Sequence, residues 1–130
     1  MLFRLDAQTP RDVLVYLENF ESGWYAVTNH ELGFGVGLAW PKEVFPYAWF
    51  WQEMHAHDGL PWYKQAYVMA IEPNTSFPGA GLTEVARKTG TFRRLAPGAS
   101  LSVDYVAAFY ESRTGVEHLA PDGTVRLKAA

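Results

Sequence analysis

The sequence predicts an all-β fold with antiparallel strands, arranged as a sandwich or a barrel. Two observations lead to this class. Short segments rich in aromatic and β-branched residues recur along the chain, and clusters of Gly, Pro and Asn separate them. Only the short segment Leu82–Lys88 has a pattern that favours a helix. Because the 130-residue chain shows neither an internal repeat nor a linker, we expect one domain over residues 1–130.

The first half of the chain is predicted to contain the strands Asp12–Phe20, Trp24–Asn29, Gly33–Leu38, Tyr47–Glu53 and Tyr67–Glu72. A short turn separates the first two, so they are expected to form a hairpin. In the third strand, glycines at every second position leave a flat groove that backbone or a ligand can approach. The segment 54–64 is expected to be an irregular loop.

The second half is predicted to contain the strands Gly90–Leu95, Ser100–Glu111, Val116–Ala120 and Thr124–Lys128. Ser100–Glu111 shows the clearest alternation of the whole chain, since apolar residues occupy every second position. The last two strands flank Pro121-Asp122-Gly123, a turn sequence that predicts a small terminal hairpin.

Charge and composition exclude several classes of function. The formal net charge is −3, and nucleic-acid binders need clustered Lys and Arg, so no nucleic-acid partner is expected. The one basic group, Arg87, Lys88, Arg93 and Arg94, is either solvated surface or an anion site, and solvated surface is the simpler interpretation. The absence of cysteine excludes disulfides and thiolate chemistry. No signal peptide and no membrane-length apolar run is visible, so we expect a soluble cytoplasmic protein without a membrane partner.

Glu72 is the first candidate for chemistry. It ends an apolar run that predicts a buried strand, and Pro73 offers no N–H and holds Glu72 extended. A carboxylate at the lip of a buried strand is costly unless it meets polar partners or a ligand. Glu72 is therefore either a general base at a cleft or an ordinary strand-end carboxylate that accepts hydrogen bonds from the following loop.

The aromatic and histidine residues supply two further candidates. Trp49 and Trp51 share one face of their strand and form either a platform for the C–H face of a sugar ring or the filling between two sheets. The run His55-Ala56-His57-Asp58 resembles half of a cupin metal site. Because the next carboxylate, Glu72, comes too far on for that spacing, no metal site is expected.

One series of motifs resembles a known family. It comprises Phe45-Pro46 and Trp51-Gln52, then Ala70-Ile71-Glu72-Pro73 and Phe77-Pro78, and then Leu95-Ala96-Pro97-Gly98 before a long last strand. In this order it resembles the C-terminal half of the aldose 1-epimerase (galactose mutarotase-like) superfamily. The resemblance covers residues 13–111. It implies an antiparallel β-sandwich of the mutarotase-like supersandwich type, apparently shortened, with a sugar site on its concave sheet.

The resemblance also implies a mechanism without a cofactor. Enzymes of this family interconvert sugar anomers, with a Glu that removes the anomeric hydroxyl proton and a His that protonates the ring oxygen. Glu72 matches the Glu. Trp51 and Gln52 match positions that border the sugar, and Asn74 follows in the next loop. The family's His lies in an N-terminal half that this chain lacks, and His30, His55 and His57 do not match its motif.

Three functions follow as alternatives. The first is carbohydrate binding, with or without epimerase activity that uses Glu72, on a monosaccharide or a sugar derivative held by Trp49, Trp51, Gln52 and Asn74. The second is a non-catalytic sugar-binding or scaffold module, and the third is a cupin-like metal protein. Because half a sandwich leaves open strand edges, which proteins usually cover, a homodimer is expected.

Overall fold

The computed structural model describes Leu5 and residues 9–129. The elements in this part of the chain are β1 (Arg11–Leu17), β2 (Trp24–Asn29), β3 (Phe34–Ala39), β4 (Tyr47–Met54), β5 (Tyr67–Asn74), α1 (Leu82–Lys88), β6 (Val106–Glu111), β7 (Val116–Leu119) and β8 (Val125–Leu127). Every pair of described strands is antiparallel. The predicted all-β antiparallel class is therefore confirmed, as are the short helix and the terminal hairpin.

The first sheet has β4 between β1 and β5. Side chains alternate along β4, and Ala48, Phe50, Gln52 and Met54 are buried on one face. We call the opposite face the tryptophan face. Its members are Asp12, Leu14 and Tyr16 of β1, Tyr47, Trp49, Trp51 and Glu53 of β4, and Val68, Ala70, Glu72 and Asn74 of β5.

The second sheet has β3 between β2 and β6, and the hairpin β7–β8 packs against it. Ala39, Ala108 and Leu119 form the buried cluster between these two layers, which gives the fold its sandwich character. A Cβ at Gly37 would lie 2.8 Å from Cδ2 of Leu119. At this point the predicted glycine groove is occupied by the chain's own side chain.

The predicted hairpin of the first two strands is wrong. β1 pairs with β4 and β2 pairs with β3, so the connection 18–23 carries the chain from one sheet to the other. The tight turn comes after β2 instead, where Oδ1 of Asn29 accepts hydrogen bonds from the backbone N–H groups of Glu31 and Leu32 at 3.1 and 2.9 Å. Such an Asx turn reverses the chain at once and pairs β2 with the strand that follows.

Two predicted strands in the second half are also corrected. Residues 90–105 contain no strand, and β6 begins only at Val106. The partner of β6 is β3, whose six residues are all paired with it. The alternating residues before Val106 therefore have no partner strand, and alternation without a ladder of hydrogen bonds does not produce a strand.

The strand that carries Glu72 is at the edge of its sheet, not buried as predicted. Its first residues, Tyr67 and Val68, are 47% and 40% exposed. The strand also runs on through Pro73 to Asn74. Proline lacks the N–H that a central strand needs, and an edge position tolerates it. Within the described residues no helix has the length and apolar character needed to cross a bilayer.

Candidate functional site

Glu72 lies directly across the ladder from Trp49. The neighbouring pairs on the same face are Trp51 with Ala70 and Tyr47 with Asn74. The fold therefore brings Glu72, Trp49, Trp51 and Asn74 onto the tryptophan face. The Glu72 side chain is exposed there, so its carboxylate is open to a ligand.

Trp49 is held in place by the loop that follows β5. Its indole N–H donates a 2.7 Å hydrogen bond to the carbonyl of Ser76. Tyr16 packs edge-on against the indole at 5.8 Å, and its hydroxyl accepts a hydrogen bond from the N–H of Gly79 at 2.8 Å. A Cβ at Gly79 would lie 2.9 Å from the indole. The loop thus lies close against one side of Trp49 and fixes the ring that faces Glu72 across the ladder.

Trp51 has a partner in the long loop between β4 and β5. The rings of Trp51 and Trp62 are 5.4 Å apart. Glu53, which is 1% exposed, anchors this loop by accepting hydrogen bonds from the N–H groups of Ala56 at 2.9 Å and His57 at 3.1 Å. Sequence reasoning missed Glu53, although strand alternation already puts it on the face of Trp49 and Trp51.

Asn74 and Gln52 lie in different places. Asn74 is the last residue of β5 and not a loop residue, and its Oδ1 accepts a 3.4 Å hydrogen bond from the N–H of Ser76. Gln52 lies on the face opposite to Glu72, is 3% exposed and accepts a 3.2 Å hydrogen bond from Arg11. The fold does not bring Gln52 together with the other four predicted residues.

Three of the four histidines lie away from the tryptophan face. His30 and His55 bond through Nδ1 to the carbonyls of Arg113 and Lys64. His118 packs against Trp24 in the second sheet.

His57 is the histidine on the tryptophan side, with Nδ1 3.7 Å from Asp12. Asp12 pairs with Glu53, four residues along β4 from Trp49, or about 13 Å of extended strand. A general acid must reach the ring oxygen of the sugar whose anomeric hydroxyl meets Glu72. His57 is too far along the strand for that.

His55 and His57, the metal-site candidates from the sequence, have different partners: Nδ1 of His55 bonds to the carbonyl of Lys64, and Nδ1 of His57 lies 3.7 Å from Asp12. Among the described residues no three His, Asp or Glu side chains are grouped closely enough to hold a metal ion. The imidazole of His55 also stacks on the ring of Tyr67, 5.4 Å away.

Two shallow clefts, both widely open to solvent, lie beside the end of the tryptophan face. Their volumes are about 290 and 250 Å³, and Pro46 and Tyr47 line both of them. Tyr47 is the ladder partner of Asn74, and Thr75 lines the smaller cleft. The smaller cleft therefore begins three residues after Glu72.

The fold and the site define an all-β antiparallel domain with an exposed carboxylate beside an aromatic row. The chain belongs to the family described as Domain of unknown function (DUF4432), whose model matches residues 12–106. That description gives no function, so the resemblance to mutarotase-like proteins stays a prediction. No curated protein and no solved structure matches the chain.

Proposed function

We propose that the chain binds a monosaccharide or sugar derivative on the tryptophan face, in the manner of a mutarotase-like protein. The observation that carries the proposal is the pairing of exposed Glu72 with Trp49 across the ladder. A pyranose has apolar C–H faces and a rim of hydroxyl groups. The fixed indole of Trp49 offers an apolar surface to the C–H face. The carboxylate of Glu72 beside it offers a charged hydrogen-bond acceptor to the hydroxyl groups.

The geometry favours binding over turnover. Glu72 is the proposed base if anomers are exchanged, and that reaction also needs an acid at the ring oxygen. No histidine of this chain lies on the row of Glu72, and His57 is roughly 13 Å further along the strand. We therefore propose a sugar-binding protein first and an epimerase of the aldose 1-epimerase type second. Gln52 lies on the opposite face, and we propose that its role is to stabilise the sheet.

The test measures binding and turnover separately on the same preparations. Ligand-observed NMR with D-glucose and D-galactose reports binding, and polarimetry reports anomer exchange above the buffer rate. Glu72→Gln keeps the shape of the side chain and removes the charge, and it should weaken binding about 10- to 100-fold because charge-assisted hydrogen bonds are lost. Glu31→Gln, an exposed carboxylate in the turn after β2, is the matched control.

Each result has a defined meaning. Binding without exchange supports the binding protein, whereas exchange that disappears in Glu72→Gln supports the epimerase. Absence of binding to either sugar by the unaltered chain, or equal binding by the two Glu→Gln variants, overturns the proposal.

We also propose that two copies of the chain associate. On the outer face of the second sheet, Phe34 and Phe109 stack on each other and remain 48% and 72% exposed.

A second copy of this sheet face would cover both phenylalanines. Light scattering should then give twice the mass of the chain, and Phe109→Asp should return the mass to one chain. Leu60→Asp, at a loop residue that is 76% exposed, is the control that leaves the dimer intact. A single-chain mass at micromolar concentration refutes the dimer.

A further inference from the structure

The smaller cleft contains an arginine that is fixed but not neutralised. One nitrogen of Arg93, Nη2, donates hydrogen bonds to the carbonyls of Glu43 and Val44 at 3.1 and 3.2 Å. These two bonds hold the guanidinium at the wall of the cleft, which Thr75 and Tyr47 also line. Backbone carbonyls position the group without cancelling its positive charge.

The four cations of the basic group divide into two pairs with different surroundings. Glu84 binds Arg87 at 2.8 Å and Lys88 at 3.1 Å, and these hydrogen bonds lower the pKa of Glu84. In the described part of the chain, Arg93 and Arg94 take part in no ion pair. Arg94 instead lies over the ring of Phe92, 5.0 Å from its centroid, and Phe92 lines the same cleft.

The larger cleft on the other side of Tyr47 has the opposite charge. It is lined by two carboxylates, Glu18 and Glu43, and one ammonium, that of Lys42. The Lys42 ammonium also donates to the carbonyls of Phe20 and Glu21. In the smaller cleft Arg93 is the one charged residue of the lining. The charge of the lining therefore favours an anion in the cleft of Arg93 over the neighbouring cleft.

We propose that the cleft of Arg93 binds the anionic group, phosphate or carboxylate, of a sugar whose ring lies at Glu72. The inference rests on the proposed sugar site and names its substrate class, an anionic hexose. Thr75 on the cleft wall is three residues from Glu72, about 10 Å of extended chain, which is on the scale of one hexose with a charged substituent. The planar guanidinium matches the oxygens of phosphate and carboxylate in a bidentate manner.

The experiment titrates the full chain with four probes: D-glucose, D-glucose 6-phosphate, D-glucuronate and inorganic phosphate. The anionic hexose that fits should bind about tenfold or more tightly than glucose, because it adds charge-assisted hydrogen bonds. The comparison of the two charged sugars distinguishes a phosphate from a carboxylate site. Added salt should weaken the binding of the charged sugar and leave the binding of glucose unchanged.

The variants separate the cleft from the ring site. Arg93→Gln should remove the advantage of the charged sugar and leave glucose binding intact, while Arg87→Gln, already paired with Glu84, should change nothing. Since Arg93 also anchors the backbone of residues 43 and 44, Arg94→Gln, which makes no such bond, is the second variant and should reduce the advantage in part.

The two proposals fail in different ways. If neutral and charged hexoses bind equally, or if both arginine variants keep the full preference, the anionic inference is overturned and the sugar site stands. If no sugar binds, both are overturned, and phosphate bound through Arg93 would then identify an anion site unrelated to sugar.

Discussion

Leu119 of the terminal hairpin packs closely against the second sheet. Leu119 is 2% exposed and packs on Ala39 and Ala108, with Gly37 directly beneath its Cδ2. Replacing Leu119 by Ala removes three carbons from water-free surroundings, which costs roughly 2.4 kcal/mol by transfer. The neighbours below are short side chains on a paired strand, so they cannot move into the space.

A cavity term therefore adds to the transfer cost. We expect Leu119→Ala to lower the free energy of unfolding by about 3 to 4 kcal/mol, within the range measured for buried leucines. That is a large part of the roughly 5 to 15 kcal/mol typical of a domain. Leu119→Val, which should cost about 1 kcal/mol, serves if the alanine variant does not fold.

Urea unfolding followed by tryptophan fluorescence measures this change. Leu32→Ala is the control, because Leu32 lies in the β2–β3 turn and is 73% exposed. Its change should stay within about 0.5 kcal/mol. If Leu119→Ala unfolds at the same urea concentration as Leu32→Ala, the hairpin does not pack on the second sheet as described. The proposed sugar site lies on the first sheet, so any sugar binding should be the same in both folded variants.

Two other perturbations test separate parts of the fold. Glu53→Ala removes the acceptor of two backbone N–H groups, so hydrogen exchange at Ala56 and His57 should accelerate about tenfold or more. Glu117→Ala, which breaks an exposed ion pair with Arg126, is the control. Unchanged protection of Ala56 and His57 in Glu53→Ala would show that Glu53 does not anchor the loop. Burial raises the pKa of Tyr25, so the folded chain holds this phenol proton more strongly than the unfolded chain does. The stabilising contribution of this proton is complete below about pH 10 and is lost as the pH rises through the pKa of Tyr25 in the folded chain. The Tyr25→Phe variant should therefore lose less stability than the unaltered chain between neutral and alkaline pH. Identical losses would contradict a raised pKa for Tyr25.

Local patterns predicted the elements better than their partners. The bounds of β2 and α1 agree with the sequence prediction, because alternation and helix-forming residues act within a few positions. Strand pairing depends on contacts across the whole chain: β1 pairs with a strand that begins thirty residues after it ends. Nothing in the residues between 18 and 23 distinguishes a hairpin turn from a crossing between sheets, and the Asx turn at Asn29 decided the pairing of β2.

In the candidate site, too, local relations between residues could be predicted and long-range ones could not. The period of two along β4 places Trp49 and Trp51 together and puts Gln52 on the other face, so periodicity already opposes the resemblance that grouped Gln52 with Trp51. The relation of Trp49 to Glu72 could not be predicted, because it requires the register between two strands. The position of Arg93 could not be predicted either, since the carbonyls that hold it come from residues about fifty positions earlier.

The loop after β5 connects the two halves of the proposed site. It begins with Thr75, which leads from the end of β5 to the cleft of Arg93, and further along it Gly79 is held by Tyr16. Between them Ser76 accepts the hydrogen bond of Trp49. The indole, the carboxylate and the cleft wall therefore belong to one continuous set of contacts. A ligand that touched both Glu72 and Arg93 would have to fit this loop as it stands. Ser76→Pro alters the backbone to which Trp49 is hydrogen-bonded. It should therefore weaken the binding of the sugar ring and of its charged substituent together.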